Sequence, residues 1–133
     1  MMTNAIGIAL TGLNAASQRL NASASNIANA RNTGSLTDGD NAPYTPKTTQ
    51  SKALGNGGVL TQITEKSPAF TPAYDANSPF ADENGIIGTP NISYAEEIIT
   101  MKLAEISYKA NLNTIKVSKD MFEELLNTFD KKV

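Results

Sequence analysis

SYAEEIITMKLAEISYKANLNTIKVSKDMFEELLNTFD, residues 93–130, decides the fold, because it reads as one helix with more than one side to be covered. Lys102, Lys109, Lys116 and Glu123 recur every seven residues and form a single charged line. To one side of that line run Ile98, Met101, Tyr108, Leu112, Ile115, Phe122, Leu126 and Phe129; to the other run Ile99, Leu103, Ile106, Ala110, Val117 and Met121. Both sets keep the three-and-four spacing of a helical stripe. Opposite the charge lie Ala104, Ser107, Asn111, Thr114 and Ser118, all small enough to let another backbone come close. An ordinary surface helix has one apolar stripe and a broad polar back; this one has a narrow solvated line and little else that asks for water.

Ser93-Tyr94-Ala95-Glu96 fits a capping box, in which Ser93 accepts from the Glu96 amide and the Glu96 side chain returns to the Ser93 amide. From Ser93 to Asp130 there is neither Pro nor Gly, so at 1.5 Å per residue the helix reaches ~57 Å. A periodic run of that length points to a coiled coil, a membrane span or a helical assembly. The charges every seven residues exclude the membrane span.

Working outward, residues 4 to about 31 read as a second helix. Ile6, Leu13, Leu20 and Ile27 stand seven apart, with Leu10, Ser17 and Ala24 between them, a ladder suited to a coiled-coil partner. Thr3 or Asn4 is placed to cap the start, and Asn32-Thr33-Gly34 supplies a stop. Eight Ala lie between Ala5 and Ala30, alongside Asn14, Asn21, Asn26 and Asn29. Asn is a poor helix former, and Gly7 and Gly12 each cost ~1 kcal/mol relative to Ala, so this helix is weak when alone. The Asn row is either a solvated face or, since an amide both donates and accepts, a set of hydrogen-bonding groups for neighbouring helices.

Between the helices all six Pro and seven of the nine Gly fall in the span from Gly34 to Pro90. Gly58 to Thr64 is the best strand, with weaker extended segments near Tyr44 to Gln50, Ala69 to Tyr74 and Gly85 to Ile87. The expected fold is therefore mainly α: two long terminal helices forming an antiparallel coiled coil, with a long irregular central arm carrying a small β-element. In domain terms, residues 1–34 and 90–133 form a discontinuous helical assembly domain and 35–89 the loop and β arm, which escapes the usual objection to long inserts by packing on another subunit.

Composition excludes more than it suggests. The 133 residues carry eleven basic and thirteen acidic side chains, a net charge of −2, with no basic patch to hold nucleic acid. There is no Cys, His or Trp, which removes disulfides, thiolate metal sites and the commonest acid–base residue. The Asp38-Gly39-Asp40-Asn41 run lacks the glycine position and the closing Glu of a calcium loop, so it reads as a turn. No cofactor, metal, catalytic set or small-molecule substrate is called for. The first thirty residues have no basic amino-terminal region and their apolar run is broken by Asn, Ser and Gly, so a cleaved secretory signal is not expected.

The assembled residues resemble the flagellar basal-body rod and hook proteins. Ser25-Asn26-Ile27-Ala28-Asn29, leading to Thr33-Gly34, matches the family signature at the end of the first helix. Gly57-Gly58-Val59 opens the central strand, Ala81-Asp82-Glu83-Asn84-Gly85 is followed by Pro90-Asn91, and the tail carries Glu96-Glu97, Met101 and Tyr108-Lys109-Ala110-Asn111. Two of these, Ala81 to Asn91 and Tyr108 to Asn111, resemble the branch that builds the proximal rod. Tyr44-Thr45-Pro46-Lys47, without a basic pair after Tyr, and Phe80, where an acidic residue is more usual, depart from the pattern within the arm.

The resemblance implies a structural subunit whose terminal helices pair and pack with those of other subunits into a tube around an export channel, transmitting torque. Its implied partners are copies of itself, other rod proteins, the basal-body ring and the export apparatus, in the periplasmic rod, after export without a cleaved signal. The assembly residues are then Ile6, Leu10, Leu13, Leu20, Asn26, Ile27 and Asn29 on the first helix. On the second they are Ile99, Met101, Leu103, Ile106, Tyr108, Leu112, Ile115, Phe122 and Leu126. The competing reading from the residues is a soluble coiled-coil adaptor or secretion chaperone.

Overall fold

The computed structural model describes residues 2–130. Two long helices, α1 (Met2–Asn29) and α2 (Tyr94–Asp130), flank four strands: β1 (Lys47–Ala53), β2 (Val59–Glu65), β3 (Phe70–Tyr74) and β4 (Ile86–Pro90). Two separate antiparallel hairpins result, β1 on β2 and β3 on β4. All four extended segments read from the sequence become strands; β1 begins later than expected because Tyr44 and Pro46 are taken up in the joint with α1.

Each hairpin is closed by turn chemistry. Between β1 and β2, Gly57 adopts φ +86° and the Leu54 amide donates to Gly58 O at 2.8 Å. Before β4, Asp82 Oδ1 accepts from the Asn84 and Ile86 amides, both at 2.8 Å, and Gly85 takes φ +75°. The expected Asp38–Asn41 turn is a single 3-10 turn, with Asp38 accepting from the Asp40 amide and the Asn41 side chain.

α2 starts where its sequence places it, with the Glu96 amide donating to Ser93 Oγ. The return half of the capping box does not form: the Glu96 carboxylate turns instead toward Lys66, 3.9 Å away. α1 is under way by Met2, so the proposed caps Thr3 and Asn4 lie within its first turn. At the other end Gly34 is not a helix cap; it bridges to Gly88, with amides and carbonyls exchanged at 3.0 and 2.8 Å. A Cβ there would collide with the Asn41 carbonyl and with Pro43.

The two helices meet through small side chains. Ala9, Ala15, Ala16, Ala22 and Ser23 of α1 and Ala104 of α2 are buried. A Cβ on Gly12 would strike the Asn111 side chain, and Asn26 bonds Glu97, so the residue numbers run in opposite senses along the contact. The numbers in each pair add to 123, which brings Met2 level with Met121; the last turns of α2 extend past α1. The Leu ladder of α1 does not make this close contact, since Leu10 stays 53% exposed and Leu20 is also exposed. Alanine and glycine permit a closer approach than leucine and remove less side-chain entropy on burial.

The third side of α1 carries the first hairpin. Thr11 Oγ1 donates to Ile8 O at 2.7 Å and accepts from the Val59 amide at 3.0 Å, and Arg19 donates to Ser51 Oγ. Among the described residues, Ile87 is the one large aliphatic side chain that is fully buried.

Candidate assembly interface

Asn26 ties the three parts together. Its Nδ2 donates to Lys47 O at 2.7 Å and to Glu97 Oε1 at 2.8 Å, while its Oδ1 accepts from the Lys47 amide at 2.7 Å and from the Tyr44 hydroxyl at 3.2 Å. Two donors and two acceptances exhaust a primary amide, and the side chain is only 1% exposed. Tyr44 is held in turn by the Ser25 hydroxyl at 2.9 Å. Of the Asn row, Asn26 alone serves another element. Asn14 and Asn21 are exposed, and Asn29 donates to Ser25 O of its own helix and accepts from Asn32.

Outside this joint the helices present apolar surface to solvent. Of the twenty exposed large hydrophobic residues among those described, thirteen belong to α2. Both stripes are bare: Tyr108, Leu112, Phe122 and Leu126 on one side, Ile99, Leu103 and Ile106 (62% exposed) on the other. Met101 and Ile115 are half-buried, as are Ile6, Leu13 and Ile27 on α1. Of the small-residue line of α2 that the sequence sets opposite the charge, Ala104 at its start is buried, Ser107, Asn111 and Ser118 are half-buried and Thr114 is exposed.

Where the stripes meet α1, the structure brings Leu20, Ile98, Met101 and Tyr108 around an open groove of about 510 Å³ floored by Ala16 and Ala104. Its outer rim is charged. Lys102 and Lys109 both donate to Glu105, at 2.8 and 2.6 Å. These hydrogen bonds, reinforced by the two positive charges, pull the Glu105 carboxyl from 4.5 to about 2, and the same contact raises Lys102. The charges lie on the solvated line, where such pairs contribute little stability, because water screens them. They mark the border of the apolar stripe instead.

Residues to which the sequence reading gives no joining role do much of the joining. Gly12 falls in step with Ala9, Ala16 and Ser23 at spacings of three, four and seven, a small-residue pattern legible in the sequence but masked by the Leu ladder beside it. Thr11 as an acceptor for the β2 backbone carries no local signal, because its partner lies 48 residues away. Asp38 and Asp82 serve turns, and among the described residues no His, Cys, Asp or Glu group of three converges as a metal site. No helix among them is long and apolar enough to cross a membrane.

No family model matches the chain. Curated relatives do, and they share one description, flagellar basal-body rod protein FlgC. The chain is 33% identical over 104 residues to that of Escherichia coli O6:H1, covering 74% of this chain and 75% of the relative. With the Salmonella typhimurium protein the figures are 33% over 105 residues, 74% and 75%. The Agrobacterium fabrum protein is 35% identical over 103 residues, covering 73% of each. A helix pair joined through alanine, an arm pinned by the asparagine of the Asn26-Ile27-Ala28-Asn29 run, and this similarity across most of the length agree: the chain belongs to the flagellar basal-body rod protein FlgC family.

Proposed function

We propose that the chain is a structural subunit of the flagellar basal-body rod that polymerises with copies of itself and other rod proteins into a tube, lining the export channel and transmitting torque. The observation that carries this reading is exposed surface. The chain displays 9095 Å², against about 6,700 Å² for a compact monomer of its mass. Most of the exposed large hydrophobic residues lie on α2, on both sides of the charged line, and apolar patches of that extent mark interfaces. In this reading the helix pair is an antiparallel coiled coil of close approach, and the covering subunits occupy the stripes at Ile99–Ile106 and at Tyr108–Leu126. Contacts with the basal-body ring and the export apparatus belong to the same proposal, as does a periplasmic rod location reached without a cleaved signal. A helix with glycines and a row of asparagines folds weakly alone, which suits a chain that orders on arrival.

Complementation tests this. In cells lacking their own copy, Ile106→Asp should fail to restore swimming, because it places a charge on an otherwise bare apolar stripe without touching the fold. Asp40→Ala, in a solvated turn, should restore it fully. Normal swimming with Ile106→Asp contradicts the reading.

A further inference from the structure

We propose that the groove beside Leu20, Met101 and Tyr108 receives the overhanging end of α2 from a second copy of the chain. The inference rests on the polymerising reading above and names the occupant of one face. Three observations support it. First, the overhang is an apolar ridge that the described residues leave bare: Phe122 and Leu126 are exposed and Phe129 is 64% exposed, all on one side of the helix. Second, the ridge is short enough for the groove: Phe122 to Phe129 spans ~10 Å and the groove wall from Ile98 to Tyr108 ~15 Å. Third, the charges are complementary. The groove rim holds Lys102 and Lys109 against one Glu105, one positive charge in excess. The flank of the ridge holds Glu123 and Asp130 against Lys119, one negative charge in excess.

The occupant cannot be the same chain's own end. Phe122 lies fourteen residues beyond Tyr108 on one uninterrupted helix, ~21 Å away along its axis. A contact between two different patches of identical chains is head-to-tail, and repeats without limit unless it closes into a ring. Such a contact extends a rod.

The absence of cysteine lets one introduced thiol report one contact. Leu20→Cys and Leu126→Cys chains are supplied together to cells lacking their own copy, and the basal bodies are oxidised and isolated. The expected product is a disulfide between unlike variants, with about tenfold less of either like pair. Lys102→Glu with Lys109→Glu should reduce that product, and Glu123→Lys should recover part of it. Swimming cells whose basal bodies give only the Leu20→Cys like pair, or no mixed disulfide, overturn the docking while leaving the rod reading intact. Swimming in cells with no copy at all overturns the rod reading itself. Should either cysteine abolish swimming, Met101→Cys replaces Leu20→Cys and Phe122→Cys replaces Leu126→Cys. Absence of charge-swap rescue in that background also overturns the docking.

Discussion

Asn26 is a polar residue buried at a junction, and its value lies in what its loss would leave behind. Asn26→Ala takes the partner from the Lys47 amide, the Lys47 carbonyl and the Glu97 carboxylate at a part-buried joint, and an unmet buried group costs on the order of 1–3 kcal/mol. In the folded chain the Lys47 amide should then exchange its hydrogen roughly ten- to a hundredfold faster; unchanged protection would show that the four bonds are not jointly holding the arm. Glu105 gives a second residue-scale outcome. Its carboxyl, held down to about 2 by Lys102 and Lys109, contributes stability that is complete above 4.5 and lost as pH falls through about 2. The side chain is 42% exposed, so the contribution is small and salt-sensitive. A carboxyl titration by nuclear magnetic resonance should find the midpoint near 2, returning toward 4.5 when both lysines become alanine.

At the scale of the element, α1 balances local weakness against a close fit. Gly7 has open space where a Cβ would go, whereas at Gly12 the Asn111 side chain fills it. Gly7→Ala and Gly12→Ala should therefore both raise the helicity of the dispersed chain, since each removes a glycine worth ~1 kcal/mol against alanine. Only Gly12→Ala should impair swimming, because only there does the packed helix pair lose its fit. Equal behaviour of the two in complementation would mean that α1 and α2 do not meet at Gly12 in the working state. The same element shows where sequence periodicity misleads. The Leu ladder carries the stronger pattern, but Leu10 and Leu20 face outward, and the alanines take the contact.

For the molecule as a whole, the number of sides left uncovered governs behaviour in solution. Diluted to a monomer, the chain should show by circular dichroism well under the helix content of its two long helices, because isolated helices gain little without tertiary cover; full helicity on dilution would count against assembly-coupled folding. Both helices, the four strand segments and the surplus stripes of α2 were legible, since each follows from local spacing. The pairing face of α1, the half-formed capping box and the Gly34–Gly88 bridge were not. Each depends on a partner far along the chain: Thr11 on Val59, Glu96 on Lys66, Gly34 on a strand that begins at Ile86. The signature asparagine stood out in the sequence, but its fourfold grip needed the arm in place to be seen.

A seam paved with alanine has shallow corrugation. Leucine knobs lock two helices into notches a turn apart, whereas methyl groups let them slide with little penalty, like smooth rails. The Asn26–Glu97 hydrogen bond is then the pin that indexes the rails, fixing axial register together with the Asn111 side chain seated at Gly12.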